Sequence, residues 1–242
     1  MSNKRRHELD TLRGLTLVSM IAYHACWDLV YLFGKDWAWY RSEGAYLWQQ
    51  SICWTFILLS GYCVSLGRRK YRRGAEVFAA GVLISAVTWV AMPSSRIFFG
   101  VLSLLGSAML ITAAVEPWLK KLPPACGLGG SFLLFLFFRG VSGGTLGFGA
   151  VRVPDVLYRS YFTACFGFPP KGFFSTDYFA LLPWIFLFWC GFYLYQLHPN
   201  GAKRSVSLPL ITAMGRKSLL IYLLHQPLVY GALSVLRMAK LI

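Results

Sequence analysis

Residues 9–33, LDTLRGLTLVSMIAYHACWDLVYLF, are the stretch on which the fold turns. A helix needs about 20 apolar residues to cross a bilayer, and this run is long enough. Asp10, Arg13, His24 and Asp28 nevertheless interrupt it. Ionisable groups inside a span are energetically expensive, so each of the four is a candidate functional residue. At about 100° per residue, the step from Arg13 to His24 closes nearly whole turns and leaves an offset of about 20°. The four groups therefore share one stripe of the helix, with Met20 and Tyr31 filling it in.

The rest of the chain agrees with a membrane reading. Of 242 residues, 57% are apolar, 17% aromatic and only 14% charged, with a mean hydropathy of +0.54. An ordinary soluble domain carries about 25% charge. The expected fold is all-α, a polytopic membrane bundle forming one domain over residues 1–242. Residues 1–7 are too short and too basic to precede a cleavable leader, so the first span is read as retained. Six scattered cysteines without a C-x-x-C pair read as small packing residues, and no metal site is expected from them.

Seven candidate spans follow, at about residues 9–33, 45–66, 75–92, 97–115, 125–138, 178–197 and 216–236. With the amino terminus in the cytoplasm and the carboxyl terminus outside, the inner segments hold 15 Lys and Arg against 9 in the outer ones. This is the bias of the positive-inside rule. Residues 139–176 hold too many Gly and Pro for a continuous span, yet their middle is aromatic. An outer interfacial or re-entrant element is expected there.

The net charge of +15 raises nucleic-acid binding and then argues against it. The cations sit in short loops beside spans, where anionic lipid and topology account for them. The cluster Arg68, Arg69, Lys70, Arg72 and Arg73 is dense enough either to set topology on lipid phosphate or to grip a cytosolic nucleotide-like ligand. At about 1.5 Å per residue, Arg13 lies about 6 Å from the inner boundary, His24 about 22 Å and Asp28 about 28 Å. His225, before Gln226 and Pro227, falls about 13 Å in. Asp177, Tyr178 and Trp184 stand at the outer mouth of the sixth span. If these faces converge, polar groups cross the whole bilayer. Each has a plainer reading: Arg13 snorkelling beside Asp10, His24 bonded to a carbonyl or to Asp28, His225 bonded to a neighbouring helix, Asp28 solvated.

The run Glu8-Leu9-Asp10-Thr11-Leu12-Arg13-Gly14-Leu15, continuing to Tyr23-His24 and Trp27-Asp28-Leu29, carries a resemblance. It resembles the opening of small bacterial membrane proteins related to the catalytic domain of heparan-alpha-glucosaminide N-acetyltransferase. FILLSG at 56–61, FGVLSLLG at 99–106, DYFALLPW at 177–184 and GRKSLLIYLLHQP at 215–227 extend the likeness over nearly the whole chain. Arg13 and His24 are also similar to the R-x10-H signature of type-three membrane acyltransferases. The resemblance implies transfer of an acyl group, usually acetyl, from cytosolic acetyl-CoA to a sugar or glycolipid at the outer face of a bacterial inner membrane.

On that reading His24 is the general base, or else carries the acetyl group as a transient acyl-imidazole, and Asp28 fixes its tautomer. Arg13, Arg68, Arg69 and Arg72 meet the CoA phosphates, because guanidinium binds phosphate as a fork. Asp10, Asp177, Tyr178, Trp184, His225 and Gln226 contact substrate. Membrane lipid surrounds the protein, and a homo-oligomer is an open alternative. A small-solute transporter using the same polar path is the competing class, and a structural subunit of a membrane complex is the third.

Overall fold

The computed structural model describes residues 6–199 and 208–241. The basic residues at 4–5 and 203–204 that entered the charge count lie outside the described residues. Among the described residues the protein is an all-α membrane bundle with one two-residue hairpin. Contacts divide it into two compact units, one from 6–56 with 208–241 and one from 57–199. Helix α2, Glu43–Val64, runs from the first into the second.

The first unit is built on α1 (His7–Trp27), extended by one π-helical turn, Asp28–Leu32. Glu8 and Asp10 in its first turn face the positive end of the helix dipole. Two further helices return to it from the far end of the chain, α8 (Pro209–Arg216) and α9 (Ser218–Met238). Alpha-helices in lipid associate through small residues that let backbones approach. Gly14 and Gly215 do this here: a Cβ on Gly14 would stand 2.0 Å from the Ile211 carbonyl oxygen, and one on Gly215 would stand 1.8 Å from the Asp10 carbonyl oxygen. Beside this crossing the hydroxyls of Thr11 and Thr212 hydrogen-bond at 2.7 Å, both side chains buried. Leu17, Met20 and Ile52 form the apolar core next to it.

The second unit holds α3 (Lys70–Ala91), α4 (Val101–Leu119), α5 (Pro124–Phe137) and α7 (Leu181–Leu197). The same device joins them. A Cβ on Gly61 would meet the Phe188 carbonyl at 1.9 Å, one on Gly191 the Leu58 carbonyl at 2.1 Å, and one on Gly106 the Phe78 backbone nitrogen at 2.4 Å. Glu116 of α4 receives Lys70 at 2.5 Å and Lys120 at 2.7 Å. Pro124 opens α5 at a position where a missing N–H removes no helical bond.

Among the described residues, seven helices fall on the seven expected spans, and five of them are long and apolar enough to cross a membrane: His7–Leu32, Lys70–Ala91, Val101–Leu119, Pro124–Gly143 and Ser218–Met238. Helix α7 is apolar but only 17 residues long, and α2 carries Gln49 and Gln50 in its middle. The fourth helix begins at Val101 instead of 97, because residues 98–99 pair with the loop ahead of α7: Phe98 N–H donates to the Ser175 hydroxyl and Phe179 N–H to the Phe99 carbonyl. Residues 139–176 fold as short 3-10 turns, the hairpin β1 (Thr145–Leu146) and β2 (Val151–Arg152), and a single helical turn α6 (Tyr161–Ala164). Tyr158 and Tyr178 pin this segment down by donating to the Val141 and Ala164 carbonyls. All six cysteines are free thiols.

Candidate functional site

The crossing at Gly14 and Gly215 sets the register of everything beyond it. Helices α1 and α9 run in the same direction from that point, each rising about 1.5 Å per residue. Contacts climb the two together, His225 on His24, Gln226 on Asp28 and Tyr230 on Phe33, whereas α8 runs the opposite way, with Ile211 against Gly14 and Gly215 against Asp10. The rings of His24 and His225 lie 4.9 Å apart, centroid to centroid, inclined at 59°. The depths counted from the sequence put these histidines about 9 Å apart along the membrane normal. The structure closes that difference, since the two rings pack against each other.

One turn further out, the Gln226 Nε2 amide donates to Asp28 Oδ1 at 2.6 Å. Asp28 is fully buried, and His225 is the one buried residue of α9. The His225 Nδ1 lies 2.6 Å from the Tyr222 carbonyl oxygen. A carbonyl only accepts, so Nδ1 carries the hydrogen and a neutral ring keeps its lone pair on Nε2. That Nε2 is buried without a hydrogen-bond partner, as are Asp28 Oδ2 and Gln226 Oε1. Each such group costs about 1–3 kcal/mol when left unsatisfied. Three of them, on two adjacent residues of α9 and on Asp28 of the π turn, make this cluster the candidate site.

Asp28 does not hydrogen-bond His24 as the sequence reading expected. Gln226 takes the carboxylate instead, because α9 approaches on the side where α1 passes into its π turn. The same change of winding turns Tyr31 out of the polar stripe, leaving it 54% exposed, while Met20 is buried as expected. Next to His24, Tyr23 gathers aromatic partners that the sequence reading did not bring together. Tyr23 sits edge-on to His24 at 6.1 Å and packs on Tyr40 and Trp48, each at 5.1 Å. Tyr40 donates to the Tyr23 carbonyl and Trp48 to the Ser19 hydroxyl. The run from Trp37 to Tyr40 was the available signal, read only as a connection between spans.

Asp10 lies at the opposite end of α1 between two guanidinium groups, Arg13 at 3.3 Å and Arg216 at 3.7 Å. Arg216 also reaches His7 Nδ1 at 2.9 Å. Asp10 is thus held by the protein's own cations, and two arginines to one carboxylate leave this end net positive. Arg68, Arg69 and Arg72 belong to the second unit, at the start of α3. All three are exposed, and Arg72 pairs with Glu76 at 2.8 Å.

Asp177, Tyr178 and Trp184, expected to receive substrate, are engaged in building the second unit. Asp177 Oδ2 accepts the Val101 N–H at 3.1 Å, capping α4 from outside the helix. Tyr178 donates to Ala164 and packs on Phe173 at 4.9 Å. Trp184 packs between Phe135 and Phe179, with the Arg139 guanidinium 5.7 Å from its ring. Asp177 binds Val101 through Oδ2 alone, and its other carboxylate oxygen keeps acceptor capacity.

Burial pushes the Asp177 carboxyl up to about 6 from an ordinary 3.8, against the opposing pull of the Val101 N–H. A carboxyl whose value is raised on folding contributes stability that is present at low pH and lost as pH rises through the interval between the two values. Wild-type thermal stability in detergent should therefore fall from about pH 4 to about pH 6 relative to Asp177→Asn, which keeps an acceptor for Val101 and has no charge to bury. Parallel pH curves for the two proteins would refute this assignment.

Among the described residues no three His, Cys, Asp or Glu side chains gather as metal ligands. Residues 5–227 match the family described as heparan-alpha-glucosaminide N-acetyltransferase, catalytic. Neither the curated proteins nor the solved structures compared with the chain match it. A family match over nearly the whole chain joins a helical membrane protein to an activity of the membrane acyltransferase type, with an acyl donor and an acceptor. The chain belongs to the heparan-alpha-glucosaminide N-acetyltransferase catalytic family.

Proposed function

We propose that this protein transfers an acetyl group from cytosolic acetyl-CoA to a sugar or glycolipid acceptor at the outer face of a bacterial inner membrane. The observation that carries the reading is the imidazole pair His24 and His225, placed inside two membrane helices beside a buried carboxylate and amide. A hydroxyl or amine attacks a thioester carbonyl while losing its proton, and a neutral imidazole is suited to take it near pH 7. The nucleophile's oxygen or nitrogen forms the new bond to the acetyl carbon, the carbon–sulfur bond breaks, and CoA leaves as the thiolate or thiol.

His24 is the base on this reading, since its side chain keeps partial exposure where His225 is buried. His225 stands behind it with its own lone pair fixed on Nε2 by Tyr222. Asp28 and Gln226, clamped to each other, offer two acceptor atoms to the donors of the acceptor substrate. The amino terminus lies in the cytoplasm and the carboxyl terminus outside, in keeping with the Lys and Arg bias. Arg13 and Arg216 then form the cytosolic end of α1 and α8, where phosphates of CoA arrive, and the charge bias assigns the loop of Arg68, Arg69 and Arg72 to the cytosol as well.

A ligand that binds the folded state raises its stability by mass action. Acetyl-CoA at about 100 times its Kd should stabilise the purified protein in detergent by about 2.7 kcal/mol, and a neutral sugar alone should not. Arg13→Ala should weaken that binding about tenfold, the loss of one charge-assisted phosphate contact. No thermal shift with acetyl-CoA would refute the donor assignment. An unchanged Kd in Arg13→Ala would limit Arg13 to its bond with Asp10.

A further inference from the structure

The β1–β2 hairpin ends in Gly147-Phe148-Gly149, and the aromatic ring at its tip is left uncovered. Phe148 is 85% exposed, the most exposed large apolar side chain among the described residues. Its backbone is left-handed, φ +60° and ψ 31°, in a region that a bulky L-residue occupies at a cost of about 1–2 kcal/mol. Gly147 and Gly149 on either side adopt positive φ freely. A third glycine at 148 would relieve the strain, so the strained, exposed phenylalanine is held there by something other than stability.

The hairpin leaves the end of α5, whose outward residues Phe132, Leu133 and Leu134 are themselves exposed on a helix fit to cross the membrane. Between that end and the tip lies an open cleft of about 410 Å³, lined by Leu133, Leu134, Leu136, Phe137, Gly147 and Phe148. No polar side chain lines it. The register pairs Leu146 with Val151 and Thr145 with Arg152. Leu146 and Val151 are the first apolar pair behind the tip, and Arg152 is the next residue out. At about 3.3 Å per strand residue the arginine stands roughly 7–10 Å from Phe148 along the hairpin. This matches the depth to which an interfacial element buries its apolar part beneath the lipid head groups, about 5–10 Å.

We propose that residues 144–153 are a lipid anchor: Phe148 inserts into the hydrocarbon of the adjoining leaflet, an acyl chain of a bilayer phospholipid occupies the cleft beside α5, and Arg152 meets that lipid's phosphate. The continuity with a spanning helix and the cation at phosphate height choose a phospholipid over a second copy of the chain. The anchor rests on the second unit alone and is independent of the acyl-transfer chemistry.

The test uses the full-length protein with the photoreactive Phe analogue p-benzoylphenylalanine at position 148, reconstituted in vesicles of phosphatidylethanolamine and phosphatidylglycerol. Irradiation followed by mass spectrometry should give a phospholipid adduct as the main product. Each cation near an anionic bilayer surface contributes about 1 kcal/mol, so adding Arg152→Gln should reduce the adduct about fivefold. The exposed Arg152 makes no contact on which folding depends, and retention of the detergent melting temperature checks this. A cross-linked dimer as the main product, or no adduct at all, overturns the proposal. An adduct unaffected by Arg152→Gln overturns the assignment of the phosphate to Arg152.

Discussion

His24→Ala should abolish transfer while leaving the donor bound. A general base contributes about 10²–10⁴ in rate, and removing it should lower turnover by that factor. In free-energy terms this is about 3–5 kcal/mol of transition-state stabilisation. The Kd for acetyl-CoA should stay within about twofold, because the ground-state contacts proposed for Arg13 are untouched. His225→Ala should cost less, since His225 stands behind the reacting position, and Asp28→Asn less again. Single-turnover rates with a competent acceptor, measured beside acetyl-CoA binding, decide this. Wild-type turnover in His24→Ala would sink the assignment, and His225, with its lone pair already directed by Tyr222, would then carry the base.

Gly215→Ala should be the most damaging single methyl group in the first unit. The new Cβ would lie 1.8 Å from the Asp10 carbonyl oxygen and 3.0 Å from the Gly14 nitrogen. Both are backbone atoms, so no rotamer change relieves the clash, and α8 must move away from α1. Overpacking of this kind costs about 1–3 kcal/mol. For a chain of this size that is roughly 2–10 °C in melting temperature. Activity should fall with stability, because α9 continues from α8 and its displacement separates His225 from His24 and Gln226 from Asp28. Gly129→Ala is the control: nothing lies within 4 Å of its added Cβ, and helix propensity favours alanine. A Gly215→Ala protein with wild-type melting temperature and activity would show that the crossing does not set the register.

His24 and Asp28 were legible because charge inside an apolar run is rare and a four-residue spacing places both on one helix face. The family resemblance was legible for the same reason, from ELDTLRGL and the terminal HQP. The partners of those residues were not. Asp28 sits as close in sequence to His24 as a tautomer-fixing carboxylate would, and yet its hydrogen bond goes to Gln226, 198 residues away. Asp177, Tyr178 and Trp184 read as a polar mouth because a loop before a span usually meets water. The structure adds partners the sequence did not show, the α4 backbone for Asp177, the Ala164 carbonyl for Tyr178 and aromatic packing for Trp184.

Where the chain enters the membrane was decided by the sequence itself, since transfer of an apolar segment into lipid depends on its own composition and forces its backbone into a helix. Which helices pair, and at what height, was decided only by the tertiary structure. A polar stripe states that a helix needs partners without naming them. In lipid, where one apolar face attracts no more than another, the choice falls to the few places where backbones can touch. Gly14 and Gly215 are that place here, and from their contact His225 comes to rest beside His24.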